Sequence, residues 1–270
     1  MSMTRAGDIN LEYHVEGSGP PLLMIMGFAG SASAWGEPLL EALRPHFTCI
    51  RFSNRGTGLS DKPDGQFTVR TMAGDAANLL TALDIKRPHV FGISLGGMIA
   101  QELVLNFPQH VNGLVLGCTG PGFAKGVQAT PDTRSKLMPT PGLSPDEIVR
   151  NFWTIVCSAA FIERGHGFLE GMLASSLATP TPLETLGRQW VAIQTFDSYD
   201  RLPQIRAKTL VIHGDVDLLV PPPNGRILAE RIPGAELKII PGVGHMFFWE
   251  EPEETAAMIT KFLSRVPARA

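Results

Sequence analysis

Short, mainly apolar runs recur along the chain, each bounded by turn residues and separated from the next by a longer stretch. They fall at Leu22–Met26, Thr48–Phe52, Pro88–Phe91, Val111–Leu116, Thr209–Ile212 and Leu237–Ile240. Runs this short suit strands covered on both faces, because a strand wet on one side alternates apolar with polar residues. Helix-length stretches lie between them at Trp35–Leu43, Val69–Leu83, Leu95–Asn106, Gly225–Arg231 and Pro252–Leu263. In the second of these, Met72, Ala76, Leu79, Leu80 and Leu83 form one apolar stripe at helical spacing. Strand and helix in alternation, joined by right-handed crossovers, build a mostly parallel, doubly wound α/β sheet. One early segment differs. There Ile9, Leu11, Tyr13 and Val15 alternate with Asn10, Glu12, His14 and Glu16, which predicts a half-exposed strand at an antiparallel edge.

The alternation stops between Gly120 and about Leu202. That stretch opens with Thr119-Gly120-Pro121-Gly122, is Pro-rich as far as Pro145, and then reads as helix. Ser144 and Glu147 form a capping-box pattern before a helix over Asp146–Ala160, and a further helix is expected around Leu183–Phe196. The expected organisation is an α/β core, 1–120 and 203–270, interrupted by a helical cap or lid, 121–202. A chain of 270 residues buries roughly three quarters of its unfolded surface, so it needs no disulfide or metal to hold it together.

Composition narrows the partners. The formal net charge of −3 leaves no basic field for a phosphate backbone, which argues against nucleic acid. Cys49, Cys118 and Cys157 are isolated in apolar runs, as expected for core residues in a reducing compartment. The first 19 residues lack a signal-peptide pattern and the apolar runs are too short to span a bilayer, so a cytoplasmic protein without a membrane partner is expected. The sequence sets no oligomeric state.

The stretch Val90-Phe91-Gly92-Ile93-Ser94-Leu95-Gly96-Gly97-Met98 carries the chemistry. It contains G-x-S-x-G, with an apolar strand entering and a helix leaving, which is the context of a nucleophile elbow. Glycines let the chain turn tightly and raise the Ser94 hydroxyl above the sheet edge, while the helix N-terminus beneath favours developing negative charge. A plain helix-capping serine is the competing reading.

On these residues the chain resembles the α/β-hydrolase fold superfamily, over nearly its whole length. That resemblance implies a nucleophile, an acid and a histidine in this order along the chain. Asp217 follows the run Leu210-Val211-Ile212-His213-Gly214 and stands four residues before Pro221, where the family keeps its acid. His245 closes Pro241-Gly242-Val243-Gly244-His245 after the last strand, where the family keeps its base. The resemblance thus implies Ser94 as nucleophile, His245 as general base and then acid, and Asp217 as the carboxylate that orients it. Asp215 is expected to bond local backbone N–H groups instead. Of the other histidines, His14, His46, His89 and His110 read as surface or capping residues. His166 lies in the insertion within possible reach of substrate, and His213 packs behind the acid.

The family's oxyanion hole uses two backbone N–H groups, here Leu95 and Phe28. The family often has His-Gly where this chain has Met26-Gly27, which leaves the Phe28 amide in place. The loop Arg55-Gly56-Thr57-Gly58-Leu59-Ser60 resembles a family loop that is mainly structural, so Arg55 is expected to pair with backbone or carboxylate. Apolar residues of the insertion should partly roof the pocket and favour uncharged substrates. The candidate substrate contacts are Gly27, Phe28, Phe152, Trp153 and Met246.

The expected activity is serine hydrolysis of a small or medium-sized, mainly apolar carboxylic ester. The run Leu95–Gln101 is similar to the enol-lactonase and methylesterase-like branches, so a lactone is an alternative substrate, as is a β-diketone cleaved at a C–C bond. Cofactor-free haloperoxidases share the implied triad. A ligand receptor on a hydrolase fold is the alternative of another class. With no H-E-x-x-H, cysteine cluster, P-loop or dinucleotide fingerprint, no metal or cofactor is implied.

Overall fold

The computed structural model describes residues 1–267, so the last three residues of the expected core segment 203–270 lie outside it. The chain begins with the hairpin β1 (Ser2–Ala6) and β2 (Ile9–Gly17), then β3 (Pro21–Ile25), α1 (Glu37–Leu43) and β4 (Thr48–Phe52). It continues through α2 (Val69–Ala82), β5 (His89–Ile93), α3 (Leu95–Asn106) and β6 (Gly113–Gly117). Five helices follow: α4 (Pro131–Ser135), α5 (Pro145–Val156), α6 (Ala159–Arg164), α7 (His166–Ala178) and α8 (Leu183–Thr195). The core resumes with β7 (Lys208–Gly214), α9 (Pro223–Arg231), β8 (Glu236–Ile240), α10 (Phe247–Glu250) and α11 (Pro252–Leu263).

All eight strands form one sheet in the order β1-β2-β4-β3-β5-β6-β7-β8. The pairs from β4 onward are parallel, and β1–β2 and β2–β4 are antiparallel. The alternating segment is therefore one strand in from the edge, because β1 folds back over it in register Ala6↔Ile9. Only Ala6 of β1 is buried, so that strand leaves almost no apolar signal in sequence.

The central runs are buried on both faces, β5 and β6 throughout their lengths, while β8 at the sheet edge is only partly buried, with Lys238 exposed. One face packs on α2, α3 and α9 through residues such as Met72, Leu79, Ile99 and Leu228. The other packs on α1, α10 and α11 through Leu39, Phe247 and Ile259. The helices between β6 and β7 divide between these layers. Trp153, Ile155, Phe161 and Leu169 join the second, and Ala192 and Phe196 join the first. The insertion thus straddles the end of the sheet at which β5, β7 and β8 deliver Ser94, Asp217 and His245. Among the described residues no helix is long and apolar enough to cross a membrane.

Arg55 behaves as expected, donating to Asp75 through Nε and Nη2, both at 2.6 Å, with both residues buried.

Candidate active site

Ser94 occupies the turn between β5 and α3 with φ 53 and ψ −123, a left-handed backbone that a non-glycine residue rarely adopts. The strain is held from several sides. Ser94 N–H donates to Gly117 O at 2.9 Å, and Ser94 O accepts from Thr119 Oγ1 at 2.7 Å and from Gly97 N–H at 2.9 Å. The two motif glycines are required because the turn is so tight. A Cβ on Gly92 would collide with Gly96 O, and one on Gly96 with Ile25 O. The loop after β3 lies directly against the serine, since a Cβ on Gly27 would stand 3.0 Å from Ser94 Cβ. The capping alternative does not hold, for Ser94 makes no side-chain cap hydrogen bond.

Asp217 and His245 meet in the interior. His245 Nδ1 lies 2.8 Å from Asp217 Oδ2, and the two residues are each 3% exposed. An ionised carboxylate only accepts, so Nδ1 carries the proton and Nε2 keeps its lone pair. The other carboxylate oxygen, Oδ1, accepts from Leu219 N–H at 2.9 Å and Val220 N–H at 2.8 Å. His213 donates from Nε2 to Val220 O at 2.7 Å, and that nitrogen is 3.3 Å from Asp217 Oδ2. Burial pushes the Asp217 carboxyl pKa up, but attraction to the imidazolium form of His245 and hydrogen bonds from His213 and His245 outweigh it and hold the pKa down to about 2. No hydrogen bond joins Ser94 Oγ to His245 in this structure.

Asp215 is exposed and accepts from Gly242 N–H at 2.6 Å. It therefore reaches the glycine loop that carries His245 rather than the local backbone expected of it. The loop is gripped from its far side as well. Glu250, 4% exposed, accepts from Gly244 N–H and Ser158 N–H, both at 2.9 Å, and from Ser158 Oγ. Met246 N–H donates to Val156 O at 2.8 Å.

A cavity opens beside Ser94, lined among others by Phe28, Leu95, Met98, Phe123, Leu137, Trp190, Ile193 and Leu219. Phe28 and Leu95 thus border the serine, and no protein acceptor takes either backbone N–H among the described residues. Other expected contacts lie elsewhere. Trp153 and Met246 are buried in the core layer shared with α1 and α11, and Phe152 packs against that layer. The buried stripe of α5 faces the core, while the cavity is walled by α4, α8 and the segment before α4. His166 is exposed and pairs with Glu170 at 3.7 Å, away from the cavity. His89 is buried in β5 rather than at the surface, and its Nδ1 has no partner among the described residues. Sequence reasoning misses Arg134, among the described residues the one charged side chain in the cavity lining, and Glu250. Neither has a motif, and each is defined by contacts across the fold.

Residues 22–258 match the model of the alpha/beta hydrolase family. A putative carbamate hydrolase, RutD of Azorhizobium caulinodans, is 29% identical over 267 residues, covering 98% of this chain and 99% of that one. A poly(3-hydroxyalkanoate) depolymerase of Ectopseudomonas oleovorans is 33% identical over 255 residues, covering 93% and 86%. Among solved structures, a thermophilic esterase from Thermogutta terrifontis superposes with a TM-score of 0.83 at 25% identity, covering 98% and 97%. The chain belongs to the alpha/beta hydrolase family.

Proposed function

We propose that this protein is a serine hydrolase that cleaves a small or medium-sized, mainly apolar carboxylic ester through Ser94, His245 and Asp217. The observation that carries the reading is the strained Ser94, φ 53, set against the Gly27 loop on the sheet edge that also bears the buried His245–Asp217 pair. In this reading substrate enters the cavity with its carbonyl oxygen toward the Phe28 and Leu95 N–H groups. His245 Nε2 takes the Ser94 proton as Oγ attacks the carbonyl carbon, and the two amides stabilise the resulting oxyanion. His245 then gives that proton to the leaving alkoxide, leaving an acyl-enzyme. Water, deprotonated by the same nitrogen, attacks the acyl carbon and restores Ser94. Asp217 keeps the Nδ1–H tautomer throughout and offsets the positive charge on the imidazole. The Ser94–His245 hydrogen bond forms as substrate settles, a common difference between free and loaded sites. The activities for which the relatives are named, on carbamate and polyester linkages, support acyl transfer over a receptor role. Three buried free thiols fit a reducing, cytoplasmic setting.

The test is labelling with a fluorophosphonate and turnover of p-nitrophenyl esters of rising chain length, with lactones alongside. The expected result is stoichiometric labelling and ester turnover that Ser94→Ala abolishes. Wild-type protein that neither labels nor hydrolyses any ester overturns the reading in favour of a receptor.

A further inference from the structure

The cavity wall carries an isolated positive charge. Arg134 lines the same cavity as Ser94, and among the described residues no other one in the lining has an acidic or basic side chain. Its guanidinium stacks over the Phe123 ring, 5.8 Å from the centroid, and Phe123 in turn meets Trp190 edge-on at 6.2 Å. Among the described residues it pairs with no carboxylate and its side chain donates no hydrogen bond. Unpaired arginines are common on surfaces, but this one is half-buried against the Phe123 ring in the lining of the cavity that also holds the candidate nucleophile.

Its position is fixed by the fold. Thr130 caps the short helix α4, its hydroxyl accepting from Thr133 N–H at 3.2 Å, and Arg134 N–H donates to Thr130 O at 3.0 Å. The segment leading to α4 is pinned to α9. Asn224 Oδ1 accepts from Val127 N–H at 2.9 Å, and Asn224 Nδ2 donates to Val127 O at 2.8 Å. The cavity's side-chain amides, Asn224 and Gln128, are engaged with backbone, which leaves the guanidinium as the charged donor of the lining. Five N–H donors in a planar fork match a carboxylate, and partial burial strengthens that match over a bulk-water pair.

Resting on the hydrolase reading above, we infer that Arg134 is a specificity-determining residue. The substrate class is an ester with an apolar body and one carboxylate at the end remote from the scissile bond. This replaces the expectation of an uncharged substrate. The apolar lining takes the chain between the two ends, and Arg134 takes the anion.

The experiment compares two matched pairs. One is p-nitrophenyl hexanoate against the mono-p-nitrophenyl ester of adipic acid, which places the charge on the acyl side. The other is phenyl butyrate against 4-(butyryloxy)benzoate, which places it on the alcohol side. Wild type is expected to favour the anionic member of one pair in kcat/KM. Arg134→Gln should lower that anionic-to-neutral ratio by about ten- to a hundredfold, the worth of a charge-assisted hydrogen bond, and Arg134→Lys should fall between. A ratio unchanged by both substitutions, or a wild-type preference for the neutral member in both pairs, overturns the inference. If Arg134→Gln does not fold, the wild-type ratios and Arg134→Lys decide. Calorimetric binding of the same pairs to Ser94→Ala, with and without Arg134→Gln, reads the charge preference without turnover. A wild type that binds the anionic members tightly but hydrolyses nothing refutes the hydrolase reading and leaves the anion site standing.

Discussion

Glu250 is the least expected participant in this site, and removing it tests how His245 is held. Glu250 is 4% exposed, lies outside the cavity lining, and its carboxylate satisfies two buried backbone donors, Gly244 N–H and Ser158 N–H. Glu250→Ala leaves both amides without an acceptor in a place water does not reach. At about 1–3 kcal/mol for each stranded group, the loss of folding stability is roughly 2–6 kcal/mol. That is a large share of the about 5–15 kcal/mol available to a domain. Gly244 immediately precedes His245, so relaxation of the loop displaces the imidazole, and a displacement of about 1 Å costs on the order of 100-fold in rate. Glu250→Gln separates the two roles of the carboxylate. Its amide oxygen still accepts from both N–H groups and its Nε2 donates to Ser158 Oγ, so only the serine proton loses its acceptor, at about 1 kcal/mol. The assay is urea unfolding paired with ester kinetics. The expected pattern for Glu250→Ala is a lower unfolding midpoint and a kcat loss of about 100-fold with KM little changed. Glu250→Gln should stay within about tenfold of wild type in kcat, since it keeps the loop in place. An alanine variant that retains wild-type kcat and stability refutes the clamp.

Asp217→Asn should cost on the order of 10⁴ in kcat, the scale of loss when a serine protease exchanges its triad acid for the amide, because the amide cannot fix the Nδ1–H tautomer. Asp215→Asn keeps an acceptor for Gly242 N–H and should stay within about tenfold, so ester kinetics on equally folded variants that reverse this ranking move the acid to Asp215. The Asp217 variant also reports on pH. The Asp217 pKa lies at about 2 in the folded chain against an ordinary 3.8, so its charge favours the folded state by about 2 kcal/mol above pH 4, and this contribution fades as pH falls through 2. The stability gap between wild type and Asp217→Asn, measured by denaturant titration at each pH, should close over that window; a gap that widens on acidification contradicts it. Arg55→Ala strands the buried Asp75 carboxylate and should destabilise by about 3–5 kcal/mol, read from the unfolding midpoint.

Some of this site was legible in the sequence for a physical reason. A nucleophile elbow needs small residues on either side of one strained turn, so Gly92 and Gly96 leave a local signature at Ser94. The strands were legible because burial on both faces erases polar alternation. The walls of the cavity were not. Helical periodicity marks Trp153 as buried without telling whether core or substrate covers it, and here the core does. β1 was illegible because a single buried residue, Ala6, makes no pattern. Glu250 and Ser158 stand 92 residues apart, and no local rule couples positions at that distance.

Those long-range bonds also bear on what the insertion does. It grips the site from both flanks. On one, Gln189 Oε1 accepts from Ala29 N–H and Thr181 Oγ1 donates to Ala29 O, both at 2.8 Å, holding the loop that presents the Phe28 amide. On the other, Val156 O and Ser158 hold the residues on either side of His245 through Met246 N–H and Glu250. A lid swinging away as one body would break all of these bonds and release both halves of the machinery at once. Each of these bonds exchanged for one to water costs about 0.5–1.5 kcal/mol net, so breaking all of them together disfavours whole-lid opening. The segment from Phe123 to Leu137 is held differently. Asn224 ties it to α9 through Val127 and Phe123 N–H donates to Phe196 O at 3.3 Å, and among the described residues neither the Ala29 loop nor the His245 loop hydrogen-bonds to it. Displacing that segment opens the cavity wall that carries Phe123, Arg134 and Leu137 and leaves the oxyanion loop and the histidine in place. Among the described residues, the wall that carries Arg134 thus shares no hydrogen bond with the loops that hold Phe28 and His245.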